Sequence, residues 1–113
     1  MNNYTLAIND GVEVDLIYIT AIERWGRDAQ MVKAAEEMAE LSAVLLKYVN
    51  TDEKQRSSLV EHIREEIADV EIMLEQLGLV FGDNYDEYLF KLWRLSRRLG
   101  IKAGLDGEDD GEG

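Results

Sequence analysis

Two residue types that constrain small proteins are missing: the 113 residues include no cysteine and no proline. Without cysteine there is no disulfide framework, zinc–thiolate site or thiol nucleophile. Without proline there are no proline-rich linkers, and helices can run uninterrupted. No apolar run approaches the roughly 20 residues of a membrane span, and the N-terminus lacks the basic-then-apolar pattern of a signal peptide. We therefore expect a cytoplasmic protein that does not enter a membrane.

The charge is strongly negative, with 24 acidic against 12 basic residues and a net charge of −12. This balance argues against nucleic-acid polymers and anionic lipid as partners, because both are polyanions. Residues 104–113 hold five acids, four glycines and no base, so they predict a disordered acidic tail after a helical domain at residues 1–103. Residues 91–102 instead carry five bases and no acid, which predicts a cationic strip.

The hydrophobic periodicity predicts helices at about residues 28–49, 57–81 and 84–99. Asp28, Ser58 and Asn84 are expected near their N-termini as caps. Residues 12–25 begin with a strand-like alternation, but no second strand is available for pairing, so a helix is predicted there too. Short connections between such helices indicate an all-α fold, an antiparallel bundle of about four helices.

Two acidic groups occupy positions on the middle helices that are unusual for carboxylates: EEMAE at residues 36–40 and EIAD at residues 66–69. In a wheel of 100° per residue, Glu66 falls inside the apolar stripe of its helix and Asp69 lies at the edge. That stripe comprises Leu59, Ile63, Val70, Leu74, Leu77 and Phe81.

On the preceding helix, Glu37 lies at the border of the predicted stripe, and Glu36 and Glu40 lie further round. That stripe comprises Met31, Ala35, Met38, Ser42, Leu45 and Val49. A buried carboxylate must be neutralised or must bind a cation, and several that converge need one more strongly. A metal is the simplest partner, and all-oxygen ligands favour Mg²⁺ or Mn²⁺. The lone His62 has no Glu three residues before it, which excludes the Glu-x-x-His pairs of a di-iron bundle.

EEMAE followed by EIAD resembles the Glu-Glu-x-x-Glu … Glu-x-x-Asp signature of the MazG-like family, within the all-α nucleoside triphosphate pyrophosphohydrolases. IERWGRDAQ before it is similar to the Trp-Gly … Gln segment of small, phage-type members, and KLWRLSRRL to their basic last helix. The resemblance covers roughly residues 17–100. It implies a Mg²⁺-dependent hydrolase that cleaves a (d)NTP to the (d)NMP and pyrophosphate, assembled as a homodimer or homotetramer.

The resemblance implies a role for each matched position. The implied metal ligands are Glu37, Glu40, Glu66 and Asp69. Either Glu36 or Glu40 is the expected general base, since a carboxylate not fully committed to metal can accept a proton from water. Lys91, Arg94 and Arg98 share one helix face and either hold pyrophosphate or pair with surface acids. Trp25 either stacks on the base or belongs to the core. In many members an Asn closely precedes the lysine, whereas here Asn84 is seven positions before Lys91.

Two other functions fit the same residues. The first is a non-catalytic helical module that dimerises or binds metal or nucleotide without turnover. The second is a dUTP-specific pyrophosphatase on the same fold, for which the chain is short.

Overall fold

The computed structural model describes residues 13–101, which form four α-helices and one 3₁₀ turn and include no β-strand. The elements are α1 (Val14–Trp25), α2 (Arg27–Val49), the 3₁₀ turn Glu53–Gln55, α3 (Ser57–Phe81) and α4 (Tyr85–Arg98). The predictions of an all-α fold and of a helix at residues 12–25 are thus confirmed. None of the described helices combines the length and apolarity needed to cross a bilayer. The predicted tail at residues 104–113 lies outside the described residues.

Two glycines end helices at the positions where the chain must turn sharply. Gly26 separates α1 from α2 with φ of 94°, and Gly82 ends α3 with φ of 93°. Both φ values lie in a region that residues with a Cβ rarely adopt. Each glycine N–H still donates to the carbonyl four residues back, to Ile22 at 2.8 Å and to Gly78 at 2.9 Å. These bonds satisfy carbonyls that would otherwise be orphaned at the helix ends.

The predicted caps differ from those in the structure. Asp28 lies in the first turn of α2, where its charge favours the helix dipole, and Gly26 is the N-cap. Ser58 lies inside α3 and donates to the Gln55 carbonyl at 2.9 Å. Asn84 is the N-cap of α4 as predicted, but its side chain makes no capping bond. Instead, the Tyr85 N–H donates to Asp83 Oδ1 at 3.0 Å.

Helices α2 and α3 form an antiparallel hairpin whose facing residues follow a coiled-coil spacing of four and three positions. The seam consists of the buried or half-buried residues on both facing surfaces. On α2 these are Gln30, Ala34, Glu37, Leu41, Val44 and Tyr48, and on α3 they are Leu59, Ile63, Glu66, Val70, Met73, Leu77 and Val80, together with Gln76, which is hydrogen-bonded to Gln30. Helix α1 packs against both α2 and α3.

The seam of α2 differs from the stripe that hydrophobicity predicts. Met31 and Met38 are half-buried, but Ala35, Ser42, Leu45 and Val49 are exposed. Each seam residue lies one position before a residue of the predicted stripe. The seam includes the polar residues Gln30 and Glu37, which a helical wheel based on hydrophobicity assigns to the solvent side. On α3 the predicted stripe is closer to the structure, although Leu74 and Phe81 are exposed and Met73 is buried.

At each end of the hairpin an arginine side chain donates hydrogen bonds to backbone carbonyls. Near the connecting segment, Arg56 donates to the carbonyls of Thr51 and Val49, both at 3.0 Å, and lies over the Tyr48 ring. At the opposite end, Arg27 donates to the Val80 carbonyl at 3.1 Å, in the last turn of α3. Charged donors compensate carbonyls that the helices leave unpaired at their C-termini.

The chain divides into two compact units, the first ending at Gly82 and the second beginning at Asp83. Within the second unit, α4 places Phe90 and Trp93 in ring contact at 6.1 Å between centroids. Two arginines lie over these rings, Arg94 over Phe90 and Arg97 over Trp93. The cationic strip is therefore built partly on aromatic faces, which favour guanidinium groups.

The corrected seam can be tested with two valines of α2. Val44 is 5% exposed and Val49 is 64% exposed. We expect Val44→Ala to lower the free energy of unfolding by about 1.5 kcal/mol, at about 0.8 kcal/mol per buried methylene-sized group. Val49→Ala is the matched control, since it shares the change in helix propensity but not the burial. Urea unfolding of both variants checks this, and a larger loss for Val49→Ala would refute the seam.

Candidate metal centre and adjoining groove

Three glutamates from two helices converge at the centre of the hairpin. Glu37 and Glu40 come from α2 and Glu66 from α3, and one carboxylate oxygen of each lies within 4.8 Å of the others. Glu37 and Glu40 are three positions apart, so they project from one face of α2. Antiparallel pairing of the helices brings Glu66 opposite them. This acidic trio matches three of the four predicted metal ligands.

The trio is partly removed from water. The side chains of Glu37 and Glu66 are only 12% and 13% exposed, because both occupy seam positions. Glu66 Oε2 is the one buried side-chain oxygen or nitrogen among residues 13–101 without a hydrogen-bond partner. Leaving a carboxylate oxygen desolvated and unpaired is costly, so the arrangement favours a cation at this oxygen. Glu40 is exposed at the rim.

Each seam glutamate has one cationic or ionisable neighbour one turn before it. Lys33 Nζ lies 3.2 Å from Glu37 Oε1, and His62 Nε2 lies 3.0 Å from Glu66 Oε1. The hydrogen bond to Glu37 and its negative charge raise the pKa of Lys33 above the usual lysine value. The His62 pair is ionic only when the imidazole is protonated. The Lys33 and His62 side chains are each 56% exposed, and ion pairs at the surface contribute little to stability.

The crowding of carboxylates affects Glu40 most clearly. A hydrogen bond with Glu37 is the main cause that raises the pKa of Glu40 above 4.5, followed by repulsion from the Glu37 charge. Glu66 adds to the increase and Lys33 opposes it. The metal-free fold thus stabilises the protonated form of Glu40 relative to a glutamate in water, because ionised Glu40 adds a further negative charge to the trio.

An open groove of about 640 Å³ lies beside the trio and is lined by α2, α3 and the end of α1. Its residues are Trp25, Ala29, Gln30, Val32, Lys33, Glu36, Glu37, Asp69, Ile72, Met73 and Gln76. The lining combines five apolar side chains with two glutamines, three carboxylates and one ammonium group. Such a groove can accept a ligand with a flat apolar part and a charged part.

The structure brings some predicted site residues together and leaves others apart. Asp69 and Glu36 line the groove with Glu37, but Asp69 does not belong to the trio. Trp25 is exposed and also lines the groove, so its predicted core role does not hold for the described residues. The predicted pyrophosphate contacts, Lys91, Arg94 and Arg98, all lie on α4 in the second unit.

Several residues around the site were not predicted to belong to it. His62 is a surface residue, yet it contacts Glu66, and with Lys47, Glu40 and Glu66 it lines a second cavity of about 380 Å³. Its position four residues before Glu66 is the signal that could have found it. The buried pair Gln30 and Gln76 had no such signal, because its two members are far apart in the sequence.

Comparisons with protein-family models, with curated proteins and with solved structures find no match. The MazG-like resemblance stays a prediction.

The raised pKa of Glu40 predicts a pH-dependent effect in the metal-free protein. Its contribution to stability is present below about pH 4.5 and is lost as the pH rises through the higher folded-state pKa. Glu40→Gln avoids this loss, and its amide can still donate to Glu37. We expect its thermal stability in EDTA to increase relative to the natural chain as the pH rises from 4 to 7.

The control is Glu61→Gln, which removes an exposed glutamate of α3 outside the trio. Added salt should reduce the Glu40→Gln effect, because exposed charges are screened. A constant difference between Glu40→Gln and the natural chain across this pH range would contradict the proposed repulsion.

Proposed function

We propose that this protein is a Mg²⁺-dependent nucleotide pyrophosphohydrolase that cleaves a (d)NTP to the (d)NMP and pyrophosphate. The observation that carries the proposal is the acidic trio with its buried, unpaired Glu66 oxygen. A structural surface cluster would leave its carboxylates in water, whereas this trio holds two of them in a helix seam. The groove beside it offers space for a nucleotide.

The donor set fits the proposed metal. Glu37, Glu40 and Glu66 supply carboxylate oxygens alone, the ligands that Mg²⁺ and Mn²⁺ prefer. When bound, such an ion neutralises triphosphate oxygens and lowers the pKa of a water molecule. Asp69, one turn after Glu66 and facing the groove, is the proposed fourth carboxylate.

Glu36 is the proposed general base. It lines the groove next to Glu37 but lies outside the trio, so it stays uncommitted when the trio holds a cation. A free carboxylate in the groove can accept the proton of an attacking water. Glu40 belongs to the trio, and in this proposal its oxygens serve the metal. Lys33 also lines the groove and can pair with phosphate once Glu37 binds the cation.

The remaining parts of the proposal concern the substrate and the assembly. Trp25, exposed at the groove, offers an aromatic face for the base. Lys91, Arg94 and Arg98 are proposed to hold the pyrophosphate, for which arginine provides a bidentate fork. We also propose a homodimer or homotetramer. Only Ala34, Val44 and Met73 form a buried apolar core among the described residues, while large apolar side chains such as Leu46 and Phe81 are more than 60% exposed.

A second candidate is a helical module that does not catalyse a reaction. The two ion pairs favour it, since Lys33 and His62 partly neutralise Glu37 and Glu66 without any metal. These pairs leave Glu40 and Glu66 Oε2 without a cation. A bound cation would satisfy these two groups, and turnover distinguishes the catalytic proposal from a module that binds metal without turnover.

The products of hydrolysis test the reaction. With Mg²⁺ or Mn²⁺, a panel of NTPs and dNTPs should yield nucleoside monophosphate and pyrophosphate, because the proposed attack is at the α-phosphorus. EDTA should stop the reaction. Ion-exchange chromatography separates these products from diphosphate and orthophosphate. Primary release of orthophosphate, or turnover after exhaustive chelation, would contradict the proposal.

Substitution of Glu66 tests the metal site without reference to turnover. Glu66→Gln removes one of three close charges at nearly constant volume, so the protein in EDTA should be as stable as the natural chain or up to about 1 kcal/mol more stable. The stabilisation that Mg²⁺ confers should largely disappear, since it depends on affinity for the folded state. Hydrolysis should fall by orders of magnitude.

Glu65→Gln is the matched control, an exposed neighbour on the same helix. It should keep both the Mg²⁺-induced increase in Tm and the activity. Thermal melts in EDTA and in millimolar Mg²⁺ compare the three proteins. A Glu66→Gln variant that is destabilised in EDTA yet still stabilised by Mg²⁺ would show that Glu66 is only a structural partner of His62.

A further inference from the structure

Two buried glutamines line the groove at a distance from the carboxylates, and the proposed metal site does not use them. Gln30 of α2 is 7% exposed and Gln76 of α3 is 5% exposed, so both are more buried than either seam glutamate. Gln30 Nε2 donates to Gln76 Oε1 at 2.6 Å. Buried polar side chains are uncommon in a helix seam unless their hydrogen-bonding groups are used.

One hydrogen bond uses only part of what two amides offer. Each amide has two N–H donors and a carbonyl that accepts up to two bonds. No further side-chain bond of either glutamine is found within residues 13–101. Neither Gln30 Oε1 nor Gln76 Nε2 is fully buried, since Glu66 Oε2 is the one fully buried polar side-chain atom without a partner in this range. The Gln30 carbonyl and the Gln76 N–H groups therefore keep some solvent exposure, and both residues line the groove.

The position of the pair relative to the carboxylates suits a nucleotide. Gln30 lies seven residues before Glu37, and Gln76 seven residues after Asp69, or about 10 Å along each helix at 1.5 Å per residue. This separation is comparable to that between the hydrogen-bonding edge of a base and the first phosphates of its nucleotide. Trp25 lines the same groove, and it joins Gln76 again in a neighbouring cavity of about 490 Å³ under α1.

We infer that the Gln30–Gln76 pair is a base-recognition site, at which the two amides hydrogen-bond an adjacent donor and acceptor on the edge of a nucleobase. The inference rests on the proposed nucleotide-hydrolysing function and adds to it the residues that set base preference. Amide side chains form paired donor–acceptor bonds of this kind with base edges. A base that cannot satisfy both amides leaves a buried polar group unpaired, which is the physical source of discrimination.

The experiment compares the natural chain with Gln30→Leu, Gln76→Leu and the double variant. The double variant removes both partners of the buried bond together, so the seam stays packed. Gln55→Leu is the control, since Gln55 is exposed in the 3₁₀ turn and does not line the groove. The probes are five monophosphates, dAMP, dCMP, dGMP, dTMP and dUMP, titrated in EDTA by calorimetry. This measurement needs neither metal nor turnover.

We expect the natural chain and Gln55→Leu to prefer one base, and the glutamine variants to lose about 10- to 100-fold in affinity for it, the range of one paired base contact. Affinity for the least preferred base should change little, so the preference collapses. The side-chain amide resonances of Gln30 and Gln76 should shift in NMR spectra when the preferred monophosphate binds. A pair that only fixes helix register would not produce such shifts.

The outcomes separate this inference from the function on which it rests. Equal affinities for all five monophosphates in the natural chain, or an unchanged preference in folded glutamine variants, would overturn base recognition even if pyrophosphate release is observed. Selective, glutamine-dependent binding without any hydrolysis would support base recognition and contradict the catalytic proposal. If the double variant does not fold, the single variants and the amide resonances of the natural chain decide the question.

Discussion

The structure depends on one constraint, which is that the seam between α2 and α3 contains two carboxylates where a hairpin would ordinarily have apolar side chains. Glu37 lies one turn before the seam residue Leu41, and Glu66 one turn before the seam residue Val70. The packing that joins the two helices therefore also brings the two carboxylates together. Both carboxylates are largely removed from water there, with 12% and 13% of their side chains exposed. The groove and the Lys33–Glu37 ion pair adjoin these two carboxylates, and their proximity to Glu40 is what raises its pKa.

The helices and the identity of the trio were predictable because the relevant information is local. Heptad-like spacing, two glycines and short connections define the elements, and the position of Glu66 within an apolar stripe marks it as unusual without any knowledge of the fold. The resemblance to a two-part acidic motif then predicts Glu37 and Glu40 as its companions. The structure does bring these three residues together.

The remaining features were less predictable, for a common physical reason. A hydrophobicity wheel assumes that polar residues face water, so it displaced the α2 stripe away from Gln30 and Glu37, the two residues whose burial matters most. The Gln30–Gln76 bond joins residues 46 positions apart, and neither residue has a chemical signature in the sequence. Asp69 has the spacing of a ligand, yet it lines the groove and lies outside the trio, a difference that spacing along the helix does not reveal.

Without a metal ion, the carboxylates of the seam have only two ion-pair partners within residues 13–101, Lys33 and His62, and these compensate the negative charge only in part. Among the described residues Lys33 is the one permanent cation in an ion pair with the trio, so the charge of the three carboxylates is offset only in part. Lys33 and His62 are each 56% exposed and lie one turn from their partners, so either can move into water without disturbing the seam. Lys33 lowers the repulsion felt by Glu40, but Glu66 Oε2 stays without a partner. Apolar side chains at the two glutamate positions would avoid the desolvation cost, but they would offer no oxygen ligands.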